Sequence, residues 1–112
     1  MFEYDENGNF VTNPKYTEII RLHEMLEEAG IPHTFEKMFD GYQVCYPVHR
    51  NDYHCVMDAI EHHGSYGCDE DLLEIMGLLT PEEEENYSVL GFLTAENVLN
   101  RIKAHYEQQE EA

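Results

Sequence analysis

The residues best suited to metal chemistry are histidines and cysteines, because imidazole and thiolate are the ligands that zinc prefers. The candidates lie between residues 33 and 68: His33, His49, His54, His62, His63, Cys45, Cys55 and Cys68. Their spacing lacks the paired C-x-x-C pattern of a zinc site, and neighbouring residues of a strand point to opposite faces. We therefore interpret them as scattered core cysteines and surface histidines. A small metal-binding module or enzyme that uses His62, His63 and a nearby cysteine remains the alternative.

The segment Gly64-Ser65-Tyr66-Gly67 suggests a serine nucleophile with His62 or His63 as its base, because glycines permit a strained, exposed turn. The segment lacks the complete G-x-S-x-G pattern of a nucleophile elbow. The sequence instead favours a structural turn between a strand and a helix, in which Ser65 or Tyr66 hydrogen bonds locally.

Carboxylate pairs are the remaining candidates for catalysis or metal binding. Asp58 and Glu61 are such a pair, but pairs of this kind arise by chance in a chain this acidic. The run Asp69-Glu70-Asp71 lacks the glycine-containing loop and the terminal bidentate glutamate of a calcium site. The sequence therefore predicts no catalytic residue, no metal ligand and no cofactor, and favours a protein that is not an enzyme.

Acidity is the strongest signal in the sequence. The chain has 24 Asp and Glu against 6 Lys and Arg, a formal net charge of −18, and residues 51–100 contain no Lys or Arg. Because duplex DNA carries about one negative charge per 1.7 Å of axis, carboxylates gathered on one face can imitate a phosphate track. The candidate partner-binding residues are Asp69, Glu70, Asp71, Glu74, Glu82, Glu83, Glu84 and Glu85. The competing interpretation is a solvated face that keeps the protein in solution.

The charge also limits the class of partner. A strongly negative field disfavours direct binding to nucleic acid or to an anionic membrane, and it attracts basic proteins in a salt-dependent way. No stretch is long and apolar enough to span a membrane, and residues 1–5 lack the basic and apolar regions of a signal peptide. We therefore expect a cytoplasmic protein with free thiols and a basic protein as its partner.

Three helices are predicted from apolar periodicity and helix-end signals. Asn13-Pro14 caps the first, which runs near 14–29. An apolar run with few polar interruptions predicts a buried helix near 70–79, and one apolar stripe predicts a last helix near 95–107. The segment Thr80-Pro81-Glu82-Glu83 has the spacing of a capping box, which predicts an additional acidic turn of helix.

Strands are predicted in the first half of the chain. Two β-rich runs flank Asp40-Gly41, a favoured two-residue turn, and predict a hairpin. The ambiguous stretch 53–63 is assigned as a third strand. Asn7-Gly8 predicts a further short hairpin over residues 2–11. Together the elements predict an α+β fold in one domain, residues 1–112, with an antiparallel sheet of about three strands packed against three helices.

Three segments resemble small acidic accessory proteins of bacteriophages and prophages of Gram-positive bacteria: Gly64-Ser65-Tyr66-Gly67, the run from Leu72 to Leu79, and Gly91-Phe92-Leu93-Thr94-Ala95-Glu96. The resemblance covers roughly residues 14–104. Most proteins of this kind have no assigned activity, so the resemblance carries over no catalytic or binding residue. A phage context points to inhibition of a host defence nuclease, as small anti-CRISPR proteins do by presenting acidic surface where nucleic acid binds.

The leading hypothesis is therefore a non-enzymatic binding protein, with residues 69–85 as its contact surface. Tyrosine is enriched at binding hot spots, so exposed tyrosines among the carboxylates would favour protein binding over passive solubility. A structural or assembly component is a further alternative, and it predicts an oligomer that forms with rising concentration.

Overall fold

The computed structural model describes residues 3–4, 10–11 and 15–111 of the chain. These residues form seven strands, three α-helices and a short 3-10 helix. In chain order the elements are β1 (Glu3–Tyr4), β2 (Phe10–Val11), α1 (Thr17–Ala29), β3 (Thr34–Met38), β4 (Gly41–Tyr46), β5 (Met57–Glu61), the 3-10 helix (Cys68–Glu70), β6 (Leu73–Met76), α2 (Pro81–Asn86), β7 (Leu90–Leu93) and α3 (Ala95–Glu111).

Five strands form one antiparallel sheet in the order β3-β4-β5-β6-β7, so every pairing in it joins strands that are consecutive in the chain. The predicted α+β class and its antiparallel sheet are confirmed. The predicted number of about three strands is wrong, because β6 and β7 extend the sheet beyond β5. β1 and β2 form a separate antiparallel pair, as the predicted N-terminal hairpin requires, while its turn at Asn7-Gly8 lies outside the described residues.

The core lies between the sheet and the helices α1 and α3. Side chains alternate across a strand, so every second residue of β4 and β5 faces the helices. The buried residues of this layer are Tyr42, Val44, Tyr46, Met57 and Ala59 from the strands, and Ile19, Leu22, Leu26, Val98 and Ile102 from the helices. The phenol of Tyr46 also hydrogen bonds with His105 Nδ1 at 2.7 Å, which ties β4 to α3.

The predicted helix near 70–79 is wrong. The segment contains the end of the 3-10 helix and the strand β6, in which Leu73 and Ile75 are buried while Glu74 and Met76 point away from the core. An almost continuous apolar run suits a buried helix and an interior strand equally, and here the period is two. Gly77 follows with a φ of 95°, a left-handed conformation that ends the strand.

The other predicted helices are confirmed with small shifts in their ends. α1 ends at Gly30, whose φ of 68° and amide bonds to Leu26 and Glu27 carbonyls form a left-handed cap. α3 begins at Ala95 as predicted and continues to Glu111. The predicted capping box of α2 is present, since Thr80 accepts a bond from the Glu83 amide and Glu83 accepts one from the Thr80 amide. No helix of the described ranges combines the length and the apolar character needed to cross a bilayer.

The predicted hairpin of β3 and β4 is confirmed, but its turn is displaced by one residue. The turn residues are Phe39 and Asp40, while Gly41 pairs with Met38 as the first residue of β4. Phe39 supplies the left-handed conformation of the turn, with a φ of 54°. Gly41 is needed for another reason: a Cβ on it would overlap the carbonyl oxygen of Glu61 in β5. The glycine therefore allows a close approach of two strands.

Candidate protein-binding surface

Asp71 binds within the protein rather than facing a partner. Its Oδ1 accepts hydrogen bonds from the amides of Thr17 at 2.8 Å and Glu18 at 3.1 Å, and its Oδ2 accepts one from the Thr17 hydroxyl. Burial raises the pKa of Asp71, but these bonds and one from Glu61 outweigh it, so the pKa lies below its ordinary value. Asp71 is therefore a charged cap on the N-terminus of α1.

Glu74 and Glu83 also have internal partners. Glu74 Oε1 accepts a hydrogen bond from the Tyr66 amide at 3.0 Å. The Glu83 carboxylate receives two bonds from the Arg101 guanidinium, at 2.8 and 2.9 Å, in addition to its role in the capping box. The Arg101 bonds, followed by the Thr80 amide bond, lower the pKa of Glu83 to about 2. Glu83 therefore stabilises the fold at neutral pH, and Glu74 ties β6 to the backbone of Tyr66.

The other five predicted carboxylates are exposed. Asp69 and Glu70 lie on the 3-10 helix, and Glu82, Glu84 and Glu85 lie on α2. No Lys or Arg occurs between residues 51 and 100, so neither of these two short helices carries a positive charge of its own. These five carboxylates are the part of the predicted contact set that the fold leaves available.

Three large aromatic side chains stand out from the surface: Tyr66 and Phe92, which share a groove with Asp69 and Glu70, and Tyr87, which directly follows α2. Tyr66 is 61% exposed, Tyr87 57% and Phe92 59%. All three line a groove of about 610 Å³ at the C-terminal end of α2. Tyr66 and Phe92 also line a second groove, of about 320 Å³, together with Asp69 and Glu70. Aromatic and acidic side chains thus share one recess.

We call the combined region the acidic-aromatic surface, and it comprises Tyr66, Asp69, Glu70, Glu82, Glu84, Glu85, Tyr87 and Phe92. Backbone geometry holds its centre together. The Phe92 amide donates to the Tyr66 carbonyl at 3.4 Å, and Gly91 has no side chain to keep the two aromatic residues apart. Phe92 itself has a φ of 63°, a conformation that L-residues with large side chains adopt rarely. Phe39, in the turn of β3 and β4, is likewise exposed with a positive φ, so the conformation of Phe92 matters here for its place beside the grooves.

The sequence identified part of this surface. Exposed tyrosines were expected to favour protein binding, and Tyr66 and Tyr87 are exposed here, whereas Tyr42 and Tyr46 are core residues. Phe92 was not singled out as a contact residue. The signal that could have found it is its place between Gly91 and Leu93, where only one of two adjacent strand residues can face the core.

His62, His63 and a cysteine do not come together as a metal site. His62 Nδ1 accepts a bond from the Gly64 amide at 3.0 Å, and His63 Nδ1 faces Asp40 Oδ1 at 2.9 Å. The Cys68 thiol donates to the His63 carbonyl at 3.6 Å. Within residues 15–111, the one group of three or more ligating side chains that lie within reach of a common ion is elsewhere, at the C-terminal end of α1.

Three further metal candidates, His49, His54 and Cys45, are also dispersed. His49 Nε2 lies 3.0 Å from Glu36 Oε2, and the exposed His54 packs against Tyr53 with ring centroids 4.2 Å apart. Cys45 is buried, and burial raises the pKa of its thiol to about 11. The thiolate that zinc requires is therefore disfavoured at Cys45.

Ser65 has a local structural role, as the interpretation of its segment as a turn predicted. Its side chain is buried, its Oγ accepts a bond from the His62 amide at 3.0 Å, and its hydroxyl donates to the His62 carbonyl at 2.9 Å. Both hydrogen-bonding functions of the hydroxyl are used within the turn that follows β5. The hydroxyl proton of Ser65 is directed at the His62 carbonyl and not at a side-chain base.

The buried carboxyl group of Glu61 lies near the half-buried Asp71 at the start of α1. Glu61 is fully buried, its Oε1 accepts a bond from the Ile19 amide at 3.2 Å, and its Oε2 has no donor within the described residues. Burial, and then the neighbouring Asp71 carboxylate, raise the pKa of Glu61 to about 9. With its pKa raised this far, Glu61 holds a proton at neutral pH that it can donate to Asp71, and the same interaction lowers the pKa of Asp71.

Comparison with known proteins assigns the chain to no family. No family model matches the chain, and no curated protein and no solved structure matches it either. The resemblance to phage accessory proteins therefore stays a prediction.

Proposed function

We propose that this chain is a non-enzymatic binding protein that engages a basic protein through its acidic-aromatic surface. The observation that carries the proposal is the shared recess, in which Asp69 and Glu70 line one groove with Tyr66 and Phe92. Solubility requires charge alone and does not require large exposed aromatic side chains. Aromatic residues next to unneutralised carboxylates suit a partner that combines positive charge with an apolar contact.

The partner class we propose is a nucleic-acid-binding protein, and in the narrower form a nuclease of a host defence system inhibited by a phage protein in the cytoplasm. A nucleic-acid groove is basic, and it already contains surfaces on which bases stack. Carboxylates of the acidic-aromatic surface would occupy phosphate positions, while Tyr66, Tyr87 or Phe92 would occupy stacking positions. This correspondence between two kinds of contact favours mimicry over a purely electrostatic association.

The direct test is a titration of fluorescently labelled chain with purified defence nucleases at low and high salt, read as fluorescence anisotropy. We expect at least one nuclease to bind at low salt, to release the chain as salt rises, and to lose it to competing duplex DNA. A nuclease that binds the chain and DNA simultaneously would contradict mimicry. If no nuclease binds and sedimentation shows an oligomer that grows with concentration, the assembly component is the better hypothesis.

Charge reversal on α2 should weaken that complex while leaving the domain folded. The variant carries Glu82→Lys, Glu84→Lys and Glu85→Lys. Glu83 is left unchanged because its carboxylate accepts two hydrogen bonds from Arg101. We expect roughly tenfold to hundredfold weaker binding at low salt and a smaller loss at high salt.

The matched control for charge reversal changes the same net charge at exposed glutamates on other helices, with Glu24→Lys, Glu28→Lys and Glu107→Lys. If the two triple variants bind equally well, total charge explains the association and the acidic-aromatic surface is not the contact. Circular dichroism of both variants checks that each remains folded.

Truncation of Phe92 tests whether an aromatic contact contributes to affinity in addition to electrostatic attraction. Phe92→Ala removes an exposed ring from the shared recess, and we expect about tenfold or greater loss of affinity, with the loss unchanged at high salt. Phe39→Ala is the matched control, because Phe39 is also exposed and also has a positive φ but lies in the turn of β3 and β4. Equal effects of the two substitutions on affinity would contradict the proposal that Phe92 contacts the partner.

A further inference from the structure

Three ligating side chains meet where α1 ends. His23 and Glu27 are one turn apart on α1, so both project from the same face of the helix. The chain reverses at Gly30 and brings His33 against that face. His23 Nδ1 lies 2.8 Å from His33 Nε2, Glu27 Oε1 lies 3.4 Å from His33 Nε2, and Glu27 Oε1 lies 4.0 Å from His23 Nδ1.

These separations fit a common metal ion. Zinc bonds of about 2.0–2.1 Å to nitrogen and oxygen in a tetrahedral site place neighbouring ligand atoms about 3.3 Å apart. The three distances, 2.8, 3.4 and 4.0 Å, lie on either side of that value. The Glu27 side chain is long and largely exposed. A small rotation of it therefore makes the distances from Oε1 to the two histidine nitrogens more nearly equal without moving the backbone.

His33 is oriented as metal-binding histidines are. Its side chain is only 2% exposed, and its Nδ1 lies 2.8 Å from the Ile31 carbonyl oxygen. A carbonyl only accepts hydrogen bonds, so Nδ1 carries the proton and the lone pair of Nε2 points toward His23 and Glu27. A bond of this kind from the non-ligating nitrogen fixes the tautomer and raises the basicity of the ligand.

His23 is also held in place, by a ring stacked on Phe35 with centroids 4.1 Å apart and planes 6° from parallel. With no metal, the His23 Nδ1 proton points at His33 Nε2, and moving that proton to Nε2 frees Nδ1 as a ligand.

We propose that His23, Glu27 and His33 form a binding site for a divalent transition cation of the zinc class. Two imidazoles and one carboxylate match the borderline character of zinc and leave a fourth position for water. The ion would tie α1 to the segment that leads into β3, across the reversal at Gly30. Of these three residues, only His33 is among the metal candidates predicted from the sequence. The H-x-x-x-E spacing on a predicted helix, followed by a histidine just past its cap, is the signal that could have found the set.

The test uses the whole chain and zinc itself. Metal-free protein is titrated with zinc in competition with a chromogenic chelator, and cobalt is added separately so that its visible absorption reports the coordination geometry. We expect one ion per chain, a tetrahedral cobalt spectrum, and a higher thermal unfolding temperature with zinc. Glu27→Gln and His23→Gln should each weaken zinc binding at least about tenfold and abolish the cobalt spectrum.

The controls separate this site from other ligands. Glu28→Gln removes the same charge from the next residue of α1, and His54→Gln removes an exposed histidine elsewhere; both should bind zinc as the unmodified chain does. The proposal is overturned if the chain takes up no stoichiometric zinc, or if Glu27→Gln and His23→Gln retain full affinity. Zinc binding lost only when a cysteine is replaced would place the ion at the thiols and overturn it equally.

Discussion

Replacing Glu61 by glutamine is expected to increase the free energy of unfolding by about 3 kcal/mol at pH 7, and to change it little near pH 4.5. A substitution in a fully buried position usually destabilises a protein, so the expected direction is unusual. The reason is that the fold holds Glu61 as a neutral acid at a pH where the unfolded chain ionises it.

The pH dependence follows from the direction of the pKa shift. The pKa of Glu61 rises from 4.5 to about 9 on folding, mainly through burial and then through Asp71. Between these values the folded chain binds one more proton than the unfolded chain, so stability is greatest below about pH 4.5, falls as the pH rises, and levels off above about pH 9. Glutamine is neutral throughout. It can accept from the Ile19 amide and donate to Asp71, so this source of pH dependence disappears.

Urea denaturation between pH 5 and 9 tests the expectation. The stability curves of the unmodified chain and Glu61→Gln should meet near the acidic end and separate steadily toward the alkaline end. Glu70→Gln is the control, because it neutralises an exposed carboxylate nearby and should leave the slope unchanged. Parallel curves for all three proteins, or a Glu61→Gln variant less stable than the unmodified chain at pH 7, would contradict the protonated pair.

Within the described residues a carboxylate binds at the N-terminus of each of the three α-helices, which explains part of the acidity without reference to a partner. Asp71 caps α1 and Glu83 caps α2, while Glu18 Oε2 accepts a bond from the Ala95 amide at 2.6 Å at the start of α3. The N-terminal end of a helix carries a partial positive charge, so each of these contacts is favourable. A count of acidic residues therefore overstates the charge available for binding.

Only one of these caps could be predicted from the sequence. Thr80 and Glu83 are three residues apart, and their pattern is a known local signature. The Asp71 contact spans 54 residues to Thr17, and the Glu18 contact spans 77 residues to Ala95. Such contacts depend on how the elements pack, so the sequence assigned Asp71 to a partner surface when the fold uses it internally.

The strands of the sheet also differ in how far local sequence signals predict them. The strands β3, β4 and β5 were predicted because β-rich runs and turn residues are local signals. β6 was assigned to a helix because its neighbours on both sides are apolar, so no alternation marks the strand. β7 has four residues and pairs with β6 through an irregular register, which leaves no pattern long enough to detect. The predicted sheet therefore lacked β6 and β7, the last two strands of the observed order.

Gly41→Ala is expected to destabilise the chain by about 3 kcal/mol or more, because the added methyl group overlaps the Glu61 carbonyl oxygen. The backbone of β5 cannot move aside without disturbing the β4-β5 pairing, in which Tyr42 lies opposite Glu61. The prediction also distinguishes two roles for the glycine. As a turn residue it would need a positive φ, but the positive φ in this hairpin belongs to Phe39.

Chemical denaturation of Gly41→Ala and of a control, Gly64→Ala, measures the difference. A Cβ on Gly64 would meet only the His62 ring, at 3.3 Å, and that side chain can yield, so the control should lose about 1 kcal/mol or less. If Gly41→Ala loses no more than the control, the strands do not approach as closely as the fold requires. A large loss confined to Gly41 would show that Asp40-Gly41, which looks like a turn signal, encodes the packing of β4 against β5.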